Sequence, residues 1–312
     1  MSQVFEIRKA EASDAPAILS LLRQAFPLLK FAEAWWQWFF DGPTRSYLLT
    51  DDGSVAGMVS LIEYPSVKIA GESVRGTLAA NLCLLPAYQR KNRGGDRSYF
   101  VDLLEETVRI ESGLGVEISL VVPNANSAGR LKSLGWQEIA SLVTWQKEAP
   151  TPTHGSSYAE AAVDEPLVDA LNKKPGAEKG SRIQRSASFL SWRLEKRPAA
   201  TYEFALGEGG GATILKHFSD DLTGTSRLHL MDFGCPGESD FEGVLGYAES
   251  RASAAEAINF WLAEGDPLSD RAEKRGFLPV SKRPLLVRPL CAGLGGKDSP
   301  QFAFTFSDCD VY

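Results

Sequence analysis

Residues 82–95 read LCLLPAYQRKNRGG and contain the sharpest change of local structure in the chain. An apolar run over 74–85 predicts a strand that ends at Pro86, and the closing glycines predict the start of a helix over 95–111. Successive backbone N–H groups between them, together with the positive end of the helix, would point at one spot and favour an anion. The segment predicts either a cradle for a small phosphate-bearing molecule or a solvated basic turn.

The same loop holds the densest basic cluster of an acidic chain, formed by Arg90, Lys91, Arg93 and Arg97. The 312 residues include 33 Lys and Arg against 40 Asp and Glu, which gives a net charge of −7. A dedicated nucleic-acid binder needs a basic face that displaces counterions, so we exclude nucleic acid as a partner. We expect the loop to bind a small molecule, since it is too small a footprint for a duplex.

Hydrophobic periodicity predicts alternating strands and helices on both sides of this segment. Up to residue 148 the predicted strands are 5–9, 46–50, 55–63, 74–85, 116–122 and 139–145. The predicted helices of this part are 13–26, 31–40, 95–111 and 127–134. A linker rich in Pro, Thr and Ser follows at 149–157.

The second part of the chain repeats the order of the later elements without visible sequence identity. Its predicted strands are 202–206, 212–218, 227–233, 257–262 and 285–288. Its predicted helices are 164–171, 186–196, 241–250 and 267–275. We therefore predict a first domain at 1–148, a linker with a short helix at 149–180, and a second domain at 181–312.

Cysteine and histidine usage argues against a disulfide framework and against a metal site. The four cysteines and three histidines are scattered without metal-ligand spacing. No stretch reaches the roughly 18 uninterrupted apolar residues that span a bilayer, and the first residues lack a signal-peptide layout. We expect a cytoplasmic protein with reduced thiols, no metal and no membrane partner, while the sequence leaves the oligomeric state open.

Several ordered features resemble the GNAT family of acetyl-CoA-dependent N-acyltransferases. That family has a strand ending in Pro, then a loop of the form Gln/Arg-x-x-Gly-x-Gly/Ala that opens a long helix, here 89–95 with Asn92 at the first glycine. Its second signature is a strand, an Asn and a short helix ending in Gly-aromatic, here 118–122, Asn124 and 134–136. The resemblance covers about residues 4–147 and implies an α/β fold with a mixed sheet, arranged as two GNAT-like domains in tandem.

The resemblance also implies which groups would hold acetyl-CoA. The backbone of Leu84 and Leu85 would pair with the pantetheine arm where two central strands splay apart, and Asn124 and Ser127 would face that arm near the thioester. The pyrophosphate would bind the loop formed by Gln89, Arg90, Lys91, Asn92, Arg93, Gly94, Gly95 and Asp96. For Asn124 a helix cap after Pro123 is the alternative.

The catalytic candidates are Glu63, Asn81 and Cys83, and two of them have a structural alternative. Glu63 is either a general base or a solvated carboxylate at a strand end, and Cys83 is more typical of a small buried hydrophobe. Many family members place a Tyr on the short final helix where this chain has Leu131. The function implied is transfer of an acetyl group from acetyl-CoA to the primary amine of a small molecule, with amino sugars and nucleotide sugars as candidates. The alternative is a catalytically inactive CoA-binding or interaction protein on the same scaffold.

Two further features bear on the rest of the molecule. The aromatic block WWQWFF at 35–40 predicts either a stacking platform for the acceptor or, in preference, packing against the second domain. In the second domain, the segment after the strand 227–233 contains Glu238 and Asp240 but no basic residue. Acids there would repel a pyrophosphate, so we expect the second domain to be degenerate.

Overall fold

The computed structural model of the chain describes residues 5–27, 31–89, 98–148, 150, 157–173, 181–219, 224–252, 255–291 and 302–309. The strands are β1 Phe5–Lys9, β2 Thr44–Asp51, β3 Ser54–Glu63, β4 Ser66–Ile69, β5 Glu72–Val74, β6 Gly76–Leu84, β7 Ile118–Val121, β8 Gln137–Glu148, β9 Tyr158–Glu160, β10 Ser181–Gln184, β11 Tyr202–Gly207, β12 Ala212–Ser219, β13 Ser226–Gly234, β14 Ala257–Ala263, β15 Leu278–Pro289 and β16 Phe302–Ala303. The α-helices are α1 Ala15–Ala25, α2 Glu33–Phe40, α3 Pro86–Gln89, α4 Tyr99–Gly113, α5 Ala125–Ser133, α6 Glu165–Leu171, α7 Ala187–Leu190, α8 Glu238–Arg251 and α9 Ser269–Lys274. The predicted fold class, α/β with a mixed sheet, is confirmed.

Local sequence signals account for many of these boundaries. Helix α1 has Pro16 in its first turn, where a missing N–H costs nothing. The β2–β3 hairpin turns at Asp52 and Gly53, whose φ values of 46° and 79° suit the turns that match strand twist. Helix α4 starts at Tyr99, four residues after the predicted start, because Ser98 has extended backbone and caps the helix by accepting from the Val101 N–H.

The sequence prediction missed the short strands and misjudged two longer elements. Strands β4, β5, β10 and β16 form a second sheet in the order β16-β10-β4-β5, and each has only two to four residues, too few for periodicity to register. The predicted helix 186–196 is α7 followed by a π-helical turn at Ser191–Glu195. The predicted strand 285–288 is the twelve-residue β15, whose prolines at 279 and 284 disguise it.

The main sheet has twelve strands in the order β1-β2-β3-β6-β7-β15-β8-β14-β13-β12-β11-β9. Strand β15 lies between β7 and β8, and β8 lies between β15 and β14, so strands of the two predicted domains interleave at the centre. Helices α4 and α5 cover one face of the β1–β7 part and α8 and α9 cover the β11–β14 part, whereas α1, α2, α6 and α7 pack into a core shared by both. One continuous sheet contains strands from both predicted domains, so it marks no domain boundary. The domain boundaries at 148 and 181 therefore stay predictions.

The central β8–β15 pair has a register that maps onto itself. Gln137 lies opposite Val287, and Leu278 lies opposite Gln146. Adding 141 to the β8 residue number and subtracting 141 from the β15 residue number converts the first pair into the second (137 + 141 = 278, 287 − 141 = 146). Leu142 lies opposite Arg283 and is its own image (142 + 141 = 283). The two halves of the sheet are therefore related by an approximate two-fold axis through this pair.

No helix among the described residues combines the length and the apolar character that crossing a bilayer requires.

Candidate active site

An opening between two parallel strands forms the first feature of the site. Strands β6 and β7 pair only at Gly76–Ile118, Thr77–Ser119 and Leu78–Leu120. Beyond Leu78, within the described residues, β6 keeps a strand partner on its β3 side alone. The two strands therefore diverge toward their C-terminal ends and leave backbone of β6 without a ladder partner on the β7 side, as the family resemblance implies.

A β-bulge sits at the start of this opening. The register with β3 changes from Ser60–Ala80 to Met58–Cys83, so β6 carries one extra residue there. Asn81 has φ +49°, a left-handed conformation that Asn adopts more readily than most residues. Its side-chain Nδ2 is buried and has no hydrogen-bond partner among the described residues. The bulge thus brings an unsatisfied donor to the mouth of the divergence, where a ligand could accept from it.

Leu84 presents its backbone to the opening and Leu85 does not. The Leu85 N–H donates to the Ala56 carbonyl of β3 at 2.8 Å, so the alternation of an antiparallel ladder turns the Leu84 N–H and C=O to the opposite side. The Leu85 carbonyl accepts from the Tyr88 N–H at 2.8 Å, which closes the turn of α3. The Gln89 side chain donates to the Leu84 carbonyl at 3.0 Å, which leaves the Leu84 N–H as the backbone donor on that side.

The predicted phosphate loop falls largely outside the described residues. Gln89 ends the described part before it and Ser98 resumes it, so the predictions for Arg90, Lys91, Asn92, Arg93, Gly94, Gly95 and Asp96 lie in the gap. On the far side of the gap, Ser98 begins the 15-residue helix α4. The loop is therefore flanked by the short helix α3, which follows the end of β6 and was not predicted, and by the N-terminus of α4.

Asn124 and Ser127 cap helix α5. The Asn124 Oδ1 accepts from the backbone N–H groups of Asn126 and Ser127 at 3.1 and 3.0 Å, and from the Ser127 hydroxyl at 3.0 Å. The helix-cap alternative for Asn124 is confirmed. Both residues follow β7 directly and so stand on the opposite edge of the opening from β6.

Glu63 lies at the closed end of the strands and is fully engaged. It pairs with Thr77, at the start of β6 where β6 and β7 still form a ladder, and four residues before Asn81. Its carboxylate lies 2.5 Å from Arg45 Nη1 and 2.9 Å from Arg75 Nη2. Burial raises the pKa of Glu63, but hydrogen bonds and charges from Arg75 and Arg45 outweigh it and leave that pKa below the ordinary value. The geometry does not bring Glu63 to the opening.

Cys83 follows the bulge, and its thiol has low reactivity. Burial raises the pKa of its thiol to about 12, with a small opposing effect of a backbone hydrogen bond to Met58. At neutral pH the sulfur is therefore protonated, and a protonated thiol is a poor nucleophile. Leu131, at the position where the resemblance implied a Tyr, is 1% exposed and belongs to the core beneath α4 and α5.

A second divergence has the same register as the first. Strands β13 and β14 pair at Arg227–Ala257, Leu228–Ile258 and His229–Asn259 and then separate. These pairs follow from those of β6 and β7 by adding 151 and 139 (76 + 151 = 227, 118 + 139 = 257). A bulge is again present, since the register with β12 shifts between Ile214 and Leu215. With the same offset of 151 residues, Asp232 corresponds to Asn81 and Cys235 corresponds to Leu84.

The chain itself fills this second opening. The Cys235 N–H donates to the Lys173 carbonyl at 2.8 Å, and a Cβ added to Gly234 would lie 1.8 Å from the Ala170 carbonyl oxygen. Deeper in, the Asp232 carboxylate accepts from Arg185 Nε at 2.5 Å and from the Ser307 hydroxyl at 2.9 Å. The groups that would face a ligand in the second half are therefore bonded within the chain.

The aromatic block packs between the two predicted domains. The rings of Trp38 and Trp192 stack with centroids 5.2 Å apart, and each indole N–H donates to the backbone carbonyl of the other residue, at 2.7 and 3.0 Å. Trp36 and Phe39 are buried in the same core. The preferred interpretation, packing against the second part of the chain, is confirmed for Trp38.

Sequence reasoning missed Arg185 and the segment 302–309, which are buried or half-buried at the centre. One signal of the internal repeat was available. Of the four Asp-x-Pro motifs in the sequence, at 14–16, 41–43, 164–166 and 298–300, the first and third stand where α1 and α6 begin, 150 residues apart (164 − 14 = 150). No comparable local signal marks Arg185, whose partners Asp232 and Asp308 are distant in sequence.

Comparison with known proteins shows which solved structures share this fold. No protein-family model and no curated protein matches the sequence. Among solved structures, a GCN5-related N-acetyltransferase from Anabaena variabilis superposes with a TM-score of 0.72 at 15% identity, covering 92% of this chain and 73% of that one. A GCN5-related N-acetyltransferase from Kribbella flavida gives 0.69 at 15% identity, covering 92% and 71%, and Eis1 from Mycobacterium abscessus gives 0.60 at 14% identity, covering 92% and 74%. The chain therefore has the fold of the GCN5-related N-acetyltransferases.

Proposed function

We propose that this chain is an N-acyltransferase that transfers an acetyl group from acetyl-CoA to the primary amine of a small molecule. The observation that carries the proposal is the opening between β6 and β7, with the bulge at Asn81 and the outward Leu84 backbone. Residues 1–148 supply the cofactor-facing groups. Residues 181–312 are a second, degenerate copy of the same architecture, joined through 149–180.

The residues at the opening fit an extended arm that carries amide groups. The Leu84 N–H is turned away from β3, so a carbonyl of such an arm can accept from it as in strand addition. Asn124 and Ser127 stand on the other edge, and the basic loop 90–97 follows β6 in the sequence. When bound, acetyl-CoA supplies an acyl group on a thioester, whose thiolate is a good leaving group.

Acyl transfer asks two things of the protein's own residues. Negative charge that develops on the acyl oxygen needs a fixed donor, and the buried Asn81 Nδ2 is the unsatisfied donor at the bulge. The amine forms a C–N bond as the C–S bond breaks, so it loses a proton while the departing sulfur gains one. Glu63 is held ionised between two arginines away from the opening, so we assign the amine proton to solvent water instead.

The second half supports this site without offering another. Its corresponding opening is filled by Ala170–Lys173 and by the Arg185–Asp232 pair, and the first turn of α8 after β13 carries Glu238 and Asp240. Its contribution is structural, since β15 lies between β7 and β8 of the first half. The net charge of −7 favours the approach of cationic amines, an effect on rates and not on identity.

Calorimetric titration with acetyl-CoA tests the proposal first, with Gly94→Glu as the variant that blocks the loop. Saturable binding that the variant abolishes supports the cofactor site, and release of free thiol with a panel of amino sugars, polyamines, amino acids and peptides then tests catalysis. An absence of binding by the unmodified chain would reject both the enzyme and a CoA-binding protein.

A catalytically inactive CoA-binding protein is the second candidate. Two observations favour it, the buried apolar Leu131 where the resemblance implied a Tyr, and the engaged carboxylate of Glu63. Binding of acetyl-CoA without turnover of any amine in the panel would select this candidate over the enzyme.

A further inference from the structure

We propose that Arg130 binds a phosphate group of the cofactor and so helps this chain to recognise coenzyme A. The inference rests on the proposed function, because it adds a residue to the same site. Arg130 belongs to α5, which the resemblance connected with the pantetheine arm and not with phosphate. Its guanidinium, however, contacts residues at the start of α4.

The position of the guanidinium is defined by two contacts. Arg130 Nη2 donates to the hydroxyl of Ser98, the N-cap residue of α4. The guanidinium also lies over the Phe100 ring, with its carbon 4.6 Å from the ring centroid. Arg130 thus bridges the helix that follows β7 and the helix that follows the basic loop 90–97.

The charge of Arg130 has no acidic counterpart among the described residues. Among the residues that the structure describes, no carboxylate lies within ion-pair distance of Arg130, whereas Lys132 on the same helix pairs with Glu138 at 2.6 Å. The N-terminal end of a helix carries partial positive charge, so a cation held there is repelled and not stabilised. A guanidinium fixed beside a helix start, without an acid, is explained by an anion that binds next to it.

The chemistry of the guanidinium indicates the anion. Arginine presents several N–H donors in a planar fork that matches phosphate oxygens, and stacking on an aromatic ring leaves the edge of the fork available. The site is next to the predicted phosphate loop in sequence, since Ser98 directly follows Arg97. A phosphate of coenzyme A, either in the pyrophosphate or at the 3′ position, is therefore the ligand that we assign to Arg130.

Titration of the full chain with coenzyme A and with 3′-dephospho-coenzyme A tests this inference by affinity alone. We expect Arg130→Gln to weaken coenzyme A binding by about tenfold to a hundredfold, the loss typical of one charge-assisted contact. A loss confined to coenzyme A assigns the 3′-phosphate, and an equal loss for both ligands assigns the pyrophosphate. Lys132→Gln, which removes an ion-paired cation from the same helix, serves as the matched control and should change neither affinity.

Two further measurements, on Arg130→Lys and on the unmodified chain, separate a failure of this inference from poor folding of a variant and from a failure of the proposed function. Arg130→Lys keeps the charge without the fork and should lose only several-fold, which keeps the test valid if the Gln variant folds poorly. Unchanged affinity of folded Arg130→Gln, with normal binding by the unmodified chain, would overturn the role of Arg130 alone. Failure of the unmodified chain to bind coenzyme A would instead reject the proposed function and the inference with it.

Discussion

Trp38 and Trp192 hold each other through a reciprocal pair of hydrogen bonds. Each indole N–H donates to the other residue's backbone carbonyl, at 2.7 and 3.0 Å, and the rings stack 5.2 Å apart. The pair joins α2 of the first half to the π-helical turn that follows α7. Gly42 borders it closely, since a Cβ there would lie 2.1 Å from the Trp192 ring. Two segments more than 150 residues apart are thereby fixed in one arrangement (192 − 38 = 154).

Replacing either partner should therefore destabilise the whole chain. We expect Trp192→Phe to lower the free energy of unfolding by about 1–3 kcal/mol, because a buried carbonyl loses its donor. Trp145→Phe is the matched control, since the buried Trp145 indole N–H has no partner among the described residues, and its loss should be smaller. Chemical denaturation of both variants makes the comparison, and equal losses would show that the hydrogen bond contributes nothing beyond packing.

Asn81 should matter for catalysis through its side chain and for folding through its backbone. Asn81→Asp keeps the shape but exchanges the amide donor for a carboxylate, so we expect kcat to fall by about 10²–10³ if the amide stabilises the acyl oxygen. Asn81→Gly accommodates the φ of +49° without strain and also lacks the donor, so it should lose activity while remaining folded. Steady-state kinetics and thermal melting together separate the two effects. Full activity of folded Asn81→Gly would remove the amide from the mechanism.

Glu63→Gln should affect stability and leave the chemistry unchanged. The pKa of Glu63 is lowered in the folded chain, so its stabilising contribution is present above the unfolded pKa and is lost as pH falls through the folded value. The variant should therefore lose roughly 1 kcal/mol at pH 7 and approach the unmodified chain in acid. Unfolding measured across pH 3–7 and a pH profile of kcat test both statements. A fall in kcat together with loss of the acidic limb of its pH profile would restore Glu63 as the base.

Cysteine labelling should distinguish Cys83 from Cys291. Burial raises the pKa of Cys83 to about 12, so at pH 8 its thiol is almost entirely protonated. Cys291 is exposed and should react with iodoacetamide much faster. Mass spectrometry of a labelling time course reads both sites, and Cys83→Ala should keep the acetyl-transfer rate within several-fold. Rapid modification of Cys83 in the folded chain would contradict its burial.

Gly234→Ala should test the filled second opening. The added Cβ would lie 1.8 Å from the Ala170 carbonyl oxygen, so α6 or β13 must move, and we expect a loss of about 3 kcal/mol or more. Gly129→Ala in α5 has no atom within 4 Å of the added Cβ and should be neutral or stabilise by about 0.5–1 kcal/mol. Urea denaturation of the two alanine variants provides the measurement. A well-tolerated Gly234→Ala would mean that the segment 170–173 is not packed against β13.

Much of the first half was accessible from local sequence. The strand at Phe5–Lys9 and the hairpin at Asp52-Gly53 follow from alternation and turn chemistry. The positions of Asn81 and Leu84 near the end of one strand could be predicted, because that strand is visible in the local apolar pattern. The sequence left the role of Glu63 open, since its distance from Asn81 depends on how β3 pairs with β6.

Local sequence patterns did not predict the contacts between segments that are distant in sequence. Periodicity reports on neighbours within a turn of helix or a few strand residues, so it located most strands and helices and the capped start of α5. Which strand lies beside which is settled by satisfying backbone hydrogen bonds and burying apolar faces across the whole chain. That global requirement inserts β15 between β7 and β8, and it buries Arg185 against Asp232 and Asp308. Within the described residues it also leaves β6 without a ladder partner beyond Leu78 on the β7 side, and it fills the counterpart of this opening with the chain's own backbone.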